Sequence, residues 1–227
     1  MSRPDRREHG QMRALNCVLG QLSRTDGSAQ FSSGSTSLIC GIYGPIEAKL
    51  YEEKIDRTHI DVKLRPAIGL PTTKDKWTES VIHKTFERNI LGHLHPRTLV
   101  QINLQVKEND GSVDAAAINA TTLALVDAGI PLKAMIASAA CAVRKDGEVV
   151  VDPTEEEVQE ALSVHTFAFS SVCPDENPVY VDSRGSFSTD QYDRCFDLCA
   201  MTVQRIFAFM RTAIEGKVTK ESQISAV

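Results

Sequence analysis

Four short stretches in the first third of the chain cluster apolar and β-branched residues: Leu15 to Leu22, Ala29 to Ser33, Ser37 to Tyr43 and His59 to Leu64. Asp26-Gly27 and Gly44-Pro45 punctuate them, which predicts strands in an antiparallel meander. From Lys76 to Leu91 the period changes. Trp77, Val81, Ile82, Phe86, Ile90 and Leu91 recur at helical spacing, and Gly92 is placed to close that helix. Strict alternation returns at Val100, Ile102, Leu104 and Val106, a strand with one buried face.

The next element is a helix of small residues. Ala115, Ala116, Ala117, Ala120, Ala124 and Ala128 lose little side-chain entropy in a helix and admit a close neighbour, while Leu123, Leu125 and Val126 add apolar bulk. Such a helix belongs inside a packed layer. Gly129 can take the left-handed conformation just past its end, and Pro131 cannot continue it. Asp127 in the last turn opposes the helix dipole and so requires a partner. Strands follow at Met135 to Val143 and Val149 to Val151, joined by an Asp146-Gly147 turn. Thr154 with Glu157 forms a capping box that opens a short acidic helix. Another strand runs from Val164 to Phe169, a loop from Cys173 to Pro178, and a strand from Val179 to Asp182.

Ser188 and Gln191 cap a final helix whose Tyr192, Cys195, Phe196, Cys199, Val203, Ile206, Phe207 and Met210 make a long apolar stripe ending near Gly216. Strands and helices mix without regular alternation, so the fold class is α+β. The polar ends, residues 1–11 and 217–227, are expected to be disordered tails around one domain spanning 12–216.

Composition narrows the function. With 42% hydrophobic residues in 227, this is an ordinary globular chain. No apolar run reaches the roughly 18 residues of a membrane span, and Met1 to Gln11 lacks a secretory apolar segment, so a soluble, intracellular protein is expected. Six scattered cysteines, without zinc spacing, read as reduced packing residues, and no cofactor is expected. A net charge of −5 argues against a free-standing nucleic-acid binder. Basic residues nevertheless cluster: Arg65, Lys74 and Lys76 flank a loop with Pro66, Gly69 and Pro71, and Lys84, Arg88 and Arg97 follow. They read either as solvated surface or as part of an RNA path.

Four segments occur in a telling order: RTDGSAQFSSGSTSLICGIYGP (Arg24 to Pro45), HPRTLVQINLQV (His95 to Val106), NDGSVDAAAINATTLALVDAGIP (Asn109 to Pro131) and VVDPTEEE (Val150 to Glu157). Together they resemble the RNase PH superfamily from about Met12 to about Arg211, and most closely its eukaryotic exosome branch. The resemblance implies the ribosomal protein S5 domain 2-like fold, with two internally similar halves and a long C-terminal helix. It also implies a six-membered ring of RNase PH-like subunits, with cap subunits bearing RNA-binding domains and a separate catalytic nuclease. The implied work is 3′–5′ RNA degradation and rRNA processing in nucleus, nucleolus and cytoplasm.

Phosphorolysis needs groups that hold phosphate and an acid that protonates the leaving oxygen. In active members of the resembled family, a Thr-Arg pair before the small-residue helix grips phosphate together with the helix N-terminus. The matching positions here are Val113 and Asp114, and Asp114 puts a negative charge where an anion should bind. The family's acidic Asp aligns with Ser163, which cannot donate a proton near neutrality without an activating base. His165 falls on the same strand face as Ser163. The expectation is a degenerate site in a non-catalytic ring subunit, with Arg65, Lys74, Lys76 and Arg97 as RNA contacts. Two alternatives stay open: a phosphorolytic exoribonuclease acting outside the ring, and a homodimeric nuclease of DNA or RNA holding Mg²⁺ on Asp152, Glu155 and Glu156. Against the second stands the plainer reading of those carboxylates as a favourable acidic first turn.

Overall fold

The computed structural model describes residues 3, 5, 7–172 and 177–225, so the loop expected at Cys173–Pro178 lies outside the described residues except for its last two positions. The first half holds β1 (Leu15–Leu19), β2 (Gly27–Ser33), β3 (Thr36–Glu47), β4 (His59–Arg65), α1 (Thr73–Asn89) and β5 (Thr98–Glu108). The strands form one sheet in the order β1-β2-β3-β5-β4. Only β1, β2 and β3 make the expected meander, because β4 leaves it to lie beside β5 in parallel. A parallel pair needs a long crossover, and α1 supplies it. Glu79 of α1 also accepts the Leu64 amide at 2.8 Å, which helps cover that sheet edge.

The small-residue helix is α2 (Val113–Asp127), packed between β2 and β3 of this sheet and β6 (Ile136–Val143) of the next. Its polar residues are buried with partners. Asn119 exchanges hydrogen bonds with Ser138 at 2.8 and 2.9 Å, and Thr122 donates to the Ile136 carbonyl at 2.6 Å. Gly129 takes φ 69°, the left-handed stop expected after the helix. Gly27 faces the end of α2 so closely that a Cβ there would lie 2.3 Å from the Ala128 amide nitrogen.

The second sheet has the order β7-β6-β8-β9, from β6, β7 (Val149–Val151), β8 (Ser163–Ser170) and β9 (Tyr180–Gly185). The short helix α3 (Glu155–Glu160) precedes β8 and carries the expected capping box, with Thr154 and Glu157 exchanging bonds. The long helix α4 (Thr189–Ser225) lays Cys195, Cys199, Val203 and Phe207 into the core. Among the described residues no helix is long and apolar enough to cross a membrane.

Both expected tails are corrected where they are described. Helix α4 continues through 217 to Ser225 because Lys217 binds the buried carboxylate of Asp127, which also accepts the Ser28 amide at 2.9 Å. This is the partner that Asp127 required at the wrong end of a helix dipole. At the other terminus Arg3 is fully buried, binding Glu157 at 2.8 and 2.9 Å and the Val151 carbonyl at 3.0 Å. Local polarity suggests fraying at both ends, whereas ion pairs distant in sequence hold them down. Lys217→Met should therefore cost about 1–3 kcal/mol in urea unfolding, because it leaves a buried acceptor without its charged donor.

Candidate functional site

A cleft of about 820 Å³ separates the two halves. One wall comes from β4, the loop after it, the start of α1 and the start of α2; the other comes from α3, β8 and β9. The two walls meet at a sharp turn. Gly111 and Ser112 both take positive φ, 81° and 56°, and feed α2. A Cβ on Gly111 would lie 2.6 Å from the Pro153 carbonyl oxygen, so this backbone conformation and close approach require glycine. No side chain caps α2 at Ser112.

Val113 and Asp114 stand at the mouth of α2, where an anion-binding pair was expected to have been lost, and both line the cleft. The Asp114 carboxylate is held from two sides. Thr78 of α1 donates to it at 2.6 Å, and Arg184 of β9 approaches it at 3.7 Å while pairing with Asp182 at 2.6 Å. Arg184 thus lies between two carboxylates, one from each half. The α2 N-terminus favours negative charge, and here the chain supplies that charge itself. Arg184, Asp182 and Thr78 were not among the sequence candidates. Period-two alternation in β9 does put Asp182 and Arg184 on one face, but only the pairing of β9 with β8 turns that face toward α2.

Ser163 borders the cleft, but its hydroxyl is engaged elsewhere. Ser163, Val164 and Thr166 border the cleft with the β9 residues Arg184 and Asp182, whereas alternation sends His165 to the opposite, buried face, and the Ser163 hydroxyl turns to it. There Ser163 Oγ meets His165 Nε2 at 3.0 Å, and Ser183 Oγ meets His165 Nδ1 at 2.8 Å. The ring is wholly buried against Phe187 at 4.6 Å and Tyr192 at 5.9 Å. Burial pushes the imidazole below its ordinary pKa, with Asp182 partly opposing that shift. This is a satisfied core histidine between two hydroxyls, and it presents no base to the cleft.

The Mg²⁺ alternative fares poorly. Asp152 is buried beneath Arg13, whose guanidinium reaches its carboxylate at 2.6 and 2.9 Å, and Ser33 donates at 2.9 Å. Glu156 is exposed on α3, while the Glu155 backbone amide turns toward Asp110. Among the described residues no three His, Cys, Asp or Glu side chains come together as a metal site. The acidic run is the first turn of a capped helix, as the plainer reading held.

The four basic candidates do not form one path. Arg65, Lys74 and Lys76 surround the loop between β4 and α1, and Lys74 lines the cleft. Arg97 precedes β5, which runs parallel to β4, so it lies at the far end of the sheet from Arg65, roughly 20 Å or more away. There it pairs with Glu53 at 3.3 Å. Sequence proximity to α1 suggested a grouping that the parallel strand undoes.

Comparison with known proteins agrees with this architecture. Residues 11–131 match domain 1 of the 3′ exoribonuclease family, RNase PH, and residues 134–200 match its domain 2. The chain belongs to that family. It is 36% identical over 218 residues to the exosome complex component RRP46 of Saccharomyces cerevisiae, covering 91% of this chain and 97% of the yeast protein. It is also similar to the crystal structure of rice (Oryza sativa) Rrp46, with a TM-score of 0.86 and 33% identity, over 92% of this chain and 99% of the rice chain. The archaeal exosome core shares the fold, with a TM-score of 0.77 and 18% identity over 92% of this chain and 91% of that one.

Proposed function

We propose that this chain is a non-catalytic RNase PH-like subunit of an exosome core ring. It supports assembly of the six-membered ring with related subunits, below cap subunits bearing RNA-binding domains. It guides RNA toward a nuclease carried by another chain, in nucleus, nucleolus and cytoplasm. The observation that carries the inert part of this reading is the Asp114 carboxylate at the start of α2, held by Thr78 and Arg184. Phosphate approaching that helix meets a like charge. At about 4 Å the repulsion is roughly 1 kcal/mol in water and roughly 4 kcal/mol at an effective dielectric of 20. The guanidinium grip of active relatives is lost as well. Arg65, Lys74 and Lys76, gathered at one edge of the cleft, are the RNA contacts in this reading. Ring membership is supported by the similarity to exosome components over nearly the whole chain.

The purified chain, given single-stranded RNA and inorganic phosphate, is expected to release no nucleoside diphosphates, and native mass spectrometry of its cellular complex to count one copy per ring. Phosphate-dependent release that Arg184→Ala abolishes would overturn the inert reading; a homodimer in place of the ring would overturn the assembly.

A further inference from the structure

Helix α1 presents an unusual face to solvent. Its exposed positions are Thr73, Lys74, Lys76, Trp77, Lys84 and Arg88: four cations, one hydroxyl and the chain's single tryptophan. Its three acids are all turned aside and engaged. Asp75 accepts the Thr72 amide at 2.7 Å in a capping box, and Glu79 accepts the Leu64 amide at 2.8 Å as well as Lys76. Glu87 binds Lys54 at 2.9 Å, and that hydrogen bond holds its carboxyl below the usual range despite partial burial. A chain of net charge −5 therefore carries a local basic surface here.

Lys74, Trp77, Lys84 and Arg88 follow one another at intervals of three, seven and four residues, which aligns them along one side of the helix over about 21 Å. Trp77 was expected to belong to the buried stripe of this helix. It is instead 52% exposed, and it stands beside Tyr180 of β9, at the junction of the two halves. An aromatic platform set among exposed cations is the arrangement that binds single-stranded nucleic acid, with a base stacked on the ring and phosphates on the cations.

We propose that this face of α1 is a track for single-stranded RNA, with Trp77 as its stacking platform and Lys74, Lys84 and Arg88 as phosphate contacts. It rests on the RNA-guiding part of the reading above, extends it beyond the cleft edge, and does not depend on ring membership.

Because Trp77 is the only tryptophan, its fluorescence reports the contact directly. Titrating the full chain with a short oligouridylate should quench that emission to saturation, more weakly as salt rises. Lys84→Glu combined with Arg88→Glu should weaken binding about tenfold or more and lower the salt slope by about 1.4. Trp77→Ala should weaken it by about five- to hundredfold, with Trp77→Phe in between because a stacking surface remains. Absent RNA binding, binding without a change in emission, or wild-type affinity in the charge-reversed variant would each overturn the track. If that variant keeps its RNA affinity but drops out of the cellular complex, the face is a protein interface instead. Saturable quenching by a chain that fails to enter a ring would leave the track standing and remove the assembly reading alone.

Discussion

Arg13→Met is expected to cost about 3–5 kcal/mol of folding stability, because it strands a buried carboxylate. Arg13 and Asp152 are both nearly inaccessible; the guanidinium donates to the carboxylate at 2.6 and 2.9 Å, and the Arg13 amide adds a third hydrogen bond at 3.2 Å. Arg13 also donates to the Asp110 carbonyl at 2.8 Å, so one guanidinium ties β1, the turn before α2 and the turn before α3 together. Burial pushes the Asp152 carboxyl up, but the hydrogen bonds and charge of Arg13, with Ser33, outweigh it and hold the carboxyl below its ordinary value. Glu157 follows the same logic: burial raises it, and Arg3, the Thr154 amide and Arg144 bring it below the usual range.

A carboxylate with a lowered folded-state pKa stabilises the fold fully above its unfolded value, about 3.9 for Asp and 4.3 for Glu. That stabilisation is lost as pH falls through this value toward the folded one. The wild-type chain should therefore weaken on acidification below about pH 4. In Arg13→Met the sign reverses at Asp152, since burial without the cation raises the pKa, and mild acid should restore part of the lost stability. Adding Asp152→Asn in the same background should recover stability at neutral pH as well, because the stranded charge is gone. Urea unfolding from about pH 2 to about pH 7 measures all three; a wild-type-like pH profile in Arg13→Met would contradict the assignment.

Asp114→Arg is expected to raise phosphate affinity by tenfold or more without creating turnover. The substitution removes a repulsion of roughly 1–4 kcal/mol and adds a bidentate donor at a helix N-terminus. It also removes one of the two carboxylates beside Arg184, which keeps its pair with Asp182. The cost to folding is small, about 0.3–1 kcal/mol for a cation in the first helical turn, plus the lost Thr78 hydrogen bond. Turnover should stay absent because the position matching the family's acid is Ser163, whose hydroxyl is bonded to the buried His165. Equilibrium binding of inorganic phosphate checks the first half, and nucleoside diphosphate release checks the second. Unchanged phosphate affinity would show that Asp114 does not guard the helix mouth.

Much of the fold was legible because its signals are local. Thr154 with Glu157 and Ser188 with Gln191 cap helices as their spacing says, and Gly129 ends α2 in the left-handed conformation. The site was half legible. Val113 and Asp114 could be placed at the mouth of α2 from the four family-like segments, but the partners of Asp114 come from positions 36 residues before it and 70 after it. Trp77 illustrates the opposite error. Its helical spacing matched the core residues Val81, Ile82 and Phe86, yet it lies at the edge of that stripe, beyond the cover of the sheet.

By itself the sequence determined the α+β class, the family resemblance, the helix caps and the left-handed stop after α2, since each depends on periodicity or on residues close together in the chain. Only the tertiary structure decided that β4 runs beside β5, that Arg97 stands apart from Arg65, and that the Ser163 hydroxyl is taken by His165. It alone brought Arg13 to Asp152 and Arg3 to Glu157, and it alone turned the acids of α1 away from Lys74, Lys84 and Arg88. Strand pairing and long-range ion pairs set those outcomes, and neither leaves a periodic trace along the chain.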